Sequence, residues 1–86
     1  MGNLQVNGGL TVMNSITTSN FIANGTMTAH CIELQPSNSV NHGGYIDYHY
    51  NGSNSDYTSR IIENESGALL INASNGLTVT GVLKFS

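Results

Sequence analysis

The side chains that could do chemistry are concentrated between residues 42 and 64. This stretch holds all four tyrosines, two of the three histidines and the only arginine of an 86-residue chain. Asp47 and His49 stand two residues apart, which on a β-strand places both side chains on one face. Tyr45 and Tyr57 add aromatic rings on which a sugar could stack, while the polar groups could bind its hydroxyls. These four residues are the candidate glycan or receptor surface.

Catalysis by this chain is not expected. A glycosidase-type pair of carboxylates could be drawn from the acids of the stretch and its flank, Asp47, Asp56, Glu63 and Glu65. A chain of this size cannot easily enclose a cleft around them, and no nucleophile motif or phosphate-binding glycine loop precedes a helix. We therefore predict no enzyme activity and no cofactor. The alternative is an enzyme with active sites between chains, in which Asp47, His49 and Glu63 would matter.

A metal site within one chain is not expected either. His30, His42 and His49 have no recognisable ligand spacing, and Cys31 is the only cysteine. We interpret Cys31 as a small buried hydrophobic residue, with a contact between chains as the alternative. A threefold axis could place three copies of one histidine around an ion, so that arrangement stays open.

The charge content excludes several classes of protein. Only two residues are cationic, the formal net charge is -3, and charged residues make up 8% of the chain. Two cations cannot neutralise a run of phosphates, so nucleic-acid binding is not expected.

No apolar run approaches the roughly 20 residues of a membrane span, so membrane insertion is not expected. The N-terminus also lacks the features of a signal peptide.

Arg60 has a predicted structural role. If residues 44–50 and 57–64 form an antiparallel hairpin, Arg60 lies within reach of Asp47 across the strands. We predict an ion pair between them. Ile46, Tyr48 and Tyr50 then point to the other face, which is the natural one to bury.

The elements that position these residues are predicted to be strands. Apolar residues alternate with polar ones, β-branched residues are frequent, and no helical periodicity occurs, which indicates an all-β fold. Four Asn-Gly pairs are expected to supply the positive φ of tight turns: Asn7–Gly8, Asn24–Gly25, Asn51–Gly52 and Asn75–Gly76. After Pro36 we predict an antiparallel meander with strands at Gly44–Tyr50, Tyr57–Asn64, Ala68–Asn72 and Leu77–Phe85.

The N-terminal segment is predicted to need copies of itself. Its strands, including one at Ala29–Gln35, are short and carry only two or three inward apolar side chains each. Wound with two identical neighbours, they would share a core and lose their open edges. We predict an elongated, intertwined homotrimer with a fibrous segment at residues 1–35. A β-meander module follows at residues 36–86, and its last strand returns to the fibre axis. The predicted core residues are Val6, Leu10, Val12, Ile16, Ile46, Tyr48, Ile61 and Leu70.

One block of the chain resembles a known family. Residues 43–72, GGYIDYHYNGSNSDYTSRIIENESGALLIN, resemble a segment that recurs in bacteriophage and prophage tail fibre proteins. Those segments run Gly-Gly-aromatic-Ile-Asp-aromatic-His-aromatic-Asn-Gly, then a short polar insert, then Asp-Tyr-Thr-Ser-Arg-Ile. The flanking NLQVNGGLTV and NGLTVTGVLKF are similar to the Gly- and Val-rich repeats that surround the segment in such fibres.

The resemblance implies a structural and adhesive component of a virus tail fibre that supports host attachment. It implies trimeric β-structure, a place in the virion, and release from the host cytoplasm without a signal peptide. The expected partners are two further copies of the chain, other tail fibre or baseplate proteins, and a bacterial surface glycan or other host receptor. No catalytic residue is carried over. The alternative is a monomeric carbohydrate-binding module of a larger extracellular protein.

Overall fold

The strands of the protein all lie in its C-terminal half. The computed structural model describes residues 2–86 and divides after His30 into two units. The second unit contains β1 (Tyr45–Tyr48), a 3-10 turn (Tyr50–Gly52), β2 (Ser59–Glu65) and β3 (Ala68–Ala73). The predicted all-β character is confirmed in coarse form, since the described residues are mostly non-helical and contain an antiparallel sheet of three strands instead of the predicted four. Among residues 2–86 no helix is long and apolar enough to cross a membrane.

The three strands form one antiparallel sheet with β2 in the centre. Ile61 of β2 lies opposite Ile46 of β1 and opposite Ile71 of β3. The β2–β3 pairing is interrupted by a bulge between Glu63 and Glu65. Directly opposed residues share a face of a sheet, so this register decides which side chains meet.

The two connections of the sheet differ in construction. Ser66 and Gly67 alone join β2 to β3, and Gly67 has φ 81°, a value that glycine adopts at little cost. The longer β1–β2 connection contains the 3-10 turn, in which Asn51 has φ 54°. The base of this loop is closed by Thr58, whose backbone N–H donates to the carbonyl of Tyr48 at 2.8 Å. The loop is therefore anchored directly beside the end of β1.

Several predicted strand limits are corrected. β1 ends at Tyr48 because the backbone enters the 3-10 turn at Tyr50, and β2 starts at Ser59, which is the partner of Tyr48 in the ladder. The predicted strands Ala29–Gln35 and Leu77–Phe85 are absent as strands, and residues 2–30 contain none. A strand requires a hydrogen-bonded neighbour, and these apolar segments have none within the single chain.

The predicted Asn-Gly turns are only partly correct. Asn51 and Gly52 both have positive φ, at 54° and 65°, and Gly76 has φ 84°. The chain bends at residues 7–8 and 24–25, but neither pair there has positive φ. Both pairs lie in the unit without strands, so no hairpin imposes the left-handed backbone on them.

The sheet does not enclose a core. No residue in the range 2–86 is buried, and of the eight predicted core residues seven are exposed and Ile61 is half-buried. The predicted core also includes Leu70, which does not share a face of the sheet with Ile46, Tyr48 and Ile61. Leu70 lies opposite Ile62, on the other face, and Ile71 occupies the position opposite Ile61. A shift of one residue along a strand reverses the face of every side chain.

Candidate functional site

Arg60 lies at the centre of a cluster that includes most of the candidate residues. Its Cζ atom is 4.2 Å from the ring centroid of Tyr45 and 3.9 Å from that of Tyr57. A guanidinium group within about 6 Å of a ring centroid is attracted to the electron-rich face of the ring. Both tyrosine rings are thus held against the arginine.

Arg60 also forms a bidentate ion pair with Asp47. Nε of Arg60 donates to Oδ1 of Asp47 at 2.6 Å, and Nη2 donates to Oδ2 at 2.9 Å. The two side chains are only 18% and 17% exposed. These hydrogen bonds lower the pKa of Asp47 below its ordinary value of 3.8, although desolvation opposes the shift. The same bonds raise the pKa of Arg60.

The sheet register brings these residues together. Asp47 is paired directly with Arg60, and Tyr45 stands two residues before Asp47 on the same face. Tyr57 comes from the β1–β2 loop, and its hydroxyl accepts a hydrogen bond from Nδ2 of Asn72 at 3.0 Å. Asn72 lies opposite Arg60 on β3, so all three strands contribute. We call Tyr45, Asp47, Tyr57, Arg60 and Asn72 the Arg60 cluster.

Two neighbouring polar residues lie outside the cluster. Nδ1 of His49 is 3.1 Å from the carbonyl oxygen of Ser53, so this ring is bonded to the loop. Asp56 places Oδ2 at 3.6 Å from Nη2 of Arg60, but its side chain is 84% exposed. An exposed ion pair of this kind contributes little to stability. The structure therefore groups three of the four candidate ligand residues and places His49 beside the loop.

The contacts of the Arg60 cluster stabilise the sheet, because they join β1, β2 and the β1–β2 loop. Both carboxylate oxygens of Asp47 already accept hydrogen bonds from Arg60, and the rings of Tyr45 and Tyr57 already contact the guanidinium group. Glu63, the third residue of the alternative catalytic set, lies on the opposite face and accepts a hydrogen bond from the N–H of Gly67. Residues 2–86 contain no group of three histidine, cysteine, aspartate or glutamate side chains placed to hold a metal ion.

The opposite face of the sheet is apolar. Ile46, Tyr48, Ile61, Ile71 and Ala73 share it, and we call these five residues the isoleucine face. An open groove of about 230 Å³ is lined by four of these residues together with Ser59, Arg60, Gly76, Leu77 and Thr78. The sequence predicted that Ile46 and Tyr48 would be covered, yet within one chain both are exposed. Among residues 2–86, no further strand or helix packs against the face to cover them.

The aromatic contacts of Arg60 were not predicted from the sequence. The pairing with Asp47 follows from strand alternation, but Tyr57 lies in a loop whose path alternation does not describe. The available signal was the spacing of Tyr45 before Asp47, since both then share a face with the arginine.

Comparison of the chain with protein-family models, curated proteins and solved structures gave no match. The resemblance of residues 43–72 to tail fibre segments stays a prediction from the sequence. The sheet of the second unit has one polar face, which the Arg60 cluster holds together, and one apolar face, which is exposed within the single chain.

Proposed function

We propose that the chain is a segment of a bacteriophage or prophage tail fibre, with a structural and adhesive role in host attachment as a homotrimer. The proposal is supported by the residue order of 43–72 and by the absence of buried residues within the described range 2–86. A fibre segment that shares its core among three chains has no need to bury side chains within one.

The observation that carries the proposal is the amount of exposed surface. The chain exposes 8571 Å² of solvent-accessible surface. A folded monomer of 9.1 kDa exposes about 4,900 Å², so the excess is about 3,700 Å² per chain. A standard protein–protein interface covers only about 800 Å² on each partner. The excess is therefore large enough for an obligate, intertwined assembly.

Copies of the same chain fit this surface better than a charged partner. Only seven residues carry a formal charge, while Asn, Ser and Thr supply 30 positions. Contacts among such chains would bury apolar rows and pair amides and hydroxyls, with few charges to desolvate. Closure by rotational symmetry would also remove the open strand edges of β1 and β3.

The adhesive role is assigned to the β1–β2 loop and the polar face beside it. The Arg60 cluster fixes the base of this loop, and Tyr50 within it is 78% exposed. An exposed tyrosine next to asparagine and serine side chains can stack on a sugar ring and hydrogen-bond its hydroxyls. A bacterial surface glycan is therefore the proposed class of ligand.

Small-angle X-ray scattering of the whole chain tests the proposal. We expect an elongated particle with the mass of three chains. A compact particle with the mass of one chain would contradict it. Glycan-array binding by such a monomer would then favour the alternative of a carbohydrate-binding module.

A further inference from the structure

We propose that the isoleucine face is the surface on which three copies of the chain meet, with the Arg60 cluster turned outwards. This inference rests on the proposed homotrimer and assigns an orientation to each sheet within it. It names as occupant the same face of the other copies.

The strand register places three isoleucines side by side on this face. Ile46, Ile61 and Ile71 form a row directly across the three strands, flanked by a second row of Tyr48, Ser59 and Ala73. The middle residue of the first row is half-buried, and its two neighbours are each 42% exposed. A transverse row of isoleucines left in water is unfavourable, because the burial of apolar surface is the main favourable contribution to folding and to association.

Charge decides between the two faces. The opposite face carries Asp47 and Arg60 in the middle of the sheet, with Asp56 exposed beside them. No charged residue lies in either transverse row of the isoleucine face. Glu63 lies at its end, where Oε2 accepts a hydrogen bond from the N–H of Gly67 at 3.1 Å. Burying an ion pair costs desolvation energy that an apolar face avoids, so the isoleucine face is the one to cover.

The shape of the face fits a neighbour of the same kind. The groove of about 230 Å³ is lined mainly by uncharged residues, among them Tyr48, Ile61, Ile71 and Leu77, and Arg60 is its one charged lining residue. The five residues of the isoleucine face are uncharged and aliphatic or aromatic, so this patch can pack against the same patch of another copy, as a symmetric interface requires. The excess surface of about 3,700 Å² per chain exceeds the area that a stable pair needs, so each copy can contact two neighbours.

Ile61 and Ile62 provide a matched pair of test positions. Both are isoleucines in β2, both are half-buried, and they point to opposite faces. In Ile61→Lys we expect the mass measured by sedimentation equilibrium to fall from three chains to one. In Ile62→Lys we expect it to stay at three. Retention of the trimer in Ile61→Lys, or its loss only in Ile62→Lys, would overturn the inference.

Thiol labelling tests the same orientation without placing a charge in the face. Leu70 and Ile71 are neighbours in β3, each 42% exposed in the single chain, and they face opposite sides. In a Cys31→Ser background, we expect Ile71→Cys to react several-fold more slowly with a bulky maleimide than Leu70→Cys. Equal rates, or slower reaction of Leu70→Cys, would contradict the inference.

The unmodified chain separates the two levels of the proposal. If it sediments as one chain, the proposed trimer fails, and this inference fails with it. If it sediments as three chains but the matched variants behave alike, the trimer stands and only the orientation of the sheet is wrong.

Discussion

Arg60 contacts charged and aromatic side chains from two parts of the chain. It joins an acid from β1 to two aromatic rings, one from β1 and one from the β1–β2 loop. A lysine could supply the charge but not the planar fork that bonds both oxygens of Asp47. The only arginine of the chain therefore occupies a position where its planar guanidinium group can bond both carboxylate oxygens of Asp47.

The ion pair predicts a specific loss of stability in acid. Because the folded-state pKa of Asp47 is lowered, its contribution is fully present above the unfolded-state value of 3.8 and is lost as the pH falls below it. We expect the thermal unfolding midpoint to drop as the pH is lowered through this range. In Asp47→Asn the midpoint should be lower at neutral pH and should depend less on acid.

Asp56 provides the control for this measurement. It is also close to Arg60, at 3.6 Å, but is 84% exposed. We expect Asp56→Asn to keep both the neutral midpoint and the acid dependence of the unmodified chain. If Asp47→Asn kept the full acid dependence as well, the stabilising role assigned to the pair would be wrong.

The entry into β1 depends on a glycine that tolerates an unusual backbone. Gly44 has φ +100°, and a Cβ atom there would lie 2.9 Å from Cβ of Leu34. Its N–H also donates to Nδ1 of His42 at 3.0 Å, which fixes the turn before the strand. We expect Gly44→Ala to lower the free energy of unfolding by about 1–2 kcal/mol from backbone strain alone, and further through the contact with Leu34.

Gly52→Ala separates these two effects. Gly52 also has positive φ, at 65°, but no atom lies within 4 Å of the place its Cβ would take. Chemical denaturation of both variants should show the larger loss for Gly44→Ala. An equal or smaller loss would show that the contact with Leu34 does not restrict the position.

At the level of elements, the sequence predicted strand pairing correctly where apolar and polar residues alternate regularly and the two strands are neighbours along the chain. Strand pairing between residues near 47 and 60 follows from the alternation in two segments that are neighbours along the chain. The register of β3 does not, because the bulge between Glu63 and Glu65 exchanges the faces expected for Leu70 and Ile71. The aromatic contacts of Arg60 depend on the path of a loop, which the alternation does not describe.

The N-terminal segment shows a second limit of predicting strands from the sequence of one chain. Residues 2–30 have the apolar alternation of strands, yet none of them forms one in the single chain. Local preference is weak for strands, because their stability comes from neighbours across the ladder. Under the proposed assembly those neighbours belong to other copies, which explains why the pattern and the single-chain structure disagree.

At the scale of the molecule, we propose that the chain completes its core with copies of itself. The absence of any buried residue among residues 2–86 and the excess surface of about 3,700 Å² both motivate it. An obligate assembly of this kind has no stable folded monomer, so folding and association should occur together. Unfolding should accordingly depend on protein concentration.

Sedimentation equilibrium of the whole chain over a dilution series into the micromolar range tests this claim most directly. We predict a mass of three times 9.1 kDa at every concentration at which the chain is folded. A folded species with the mass of a single chain, stable on dilution, would contradict the shared core.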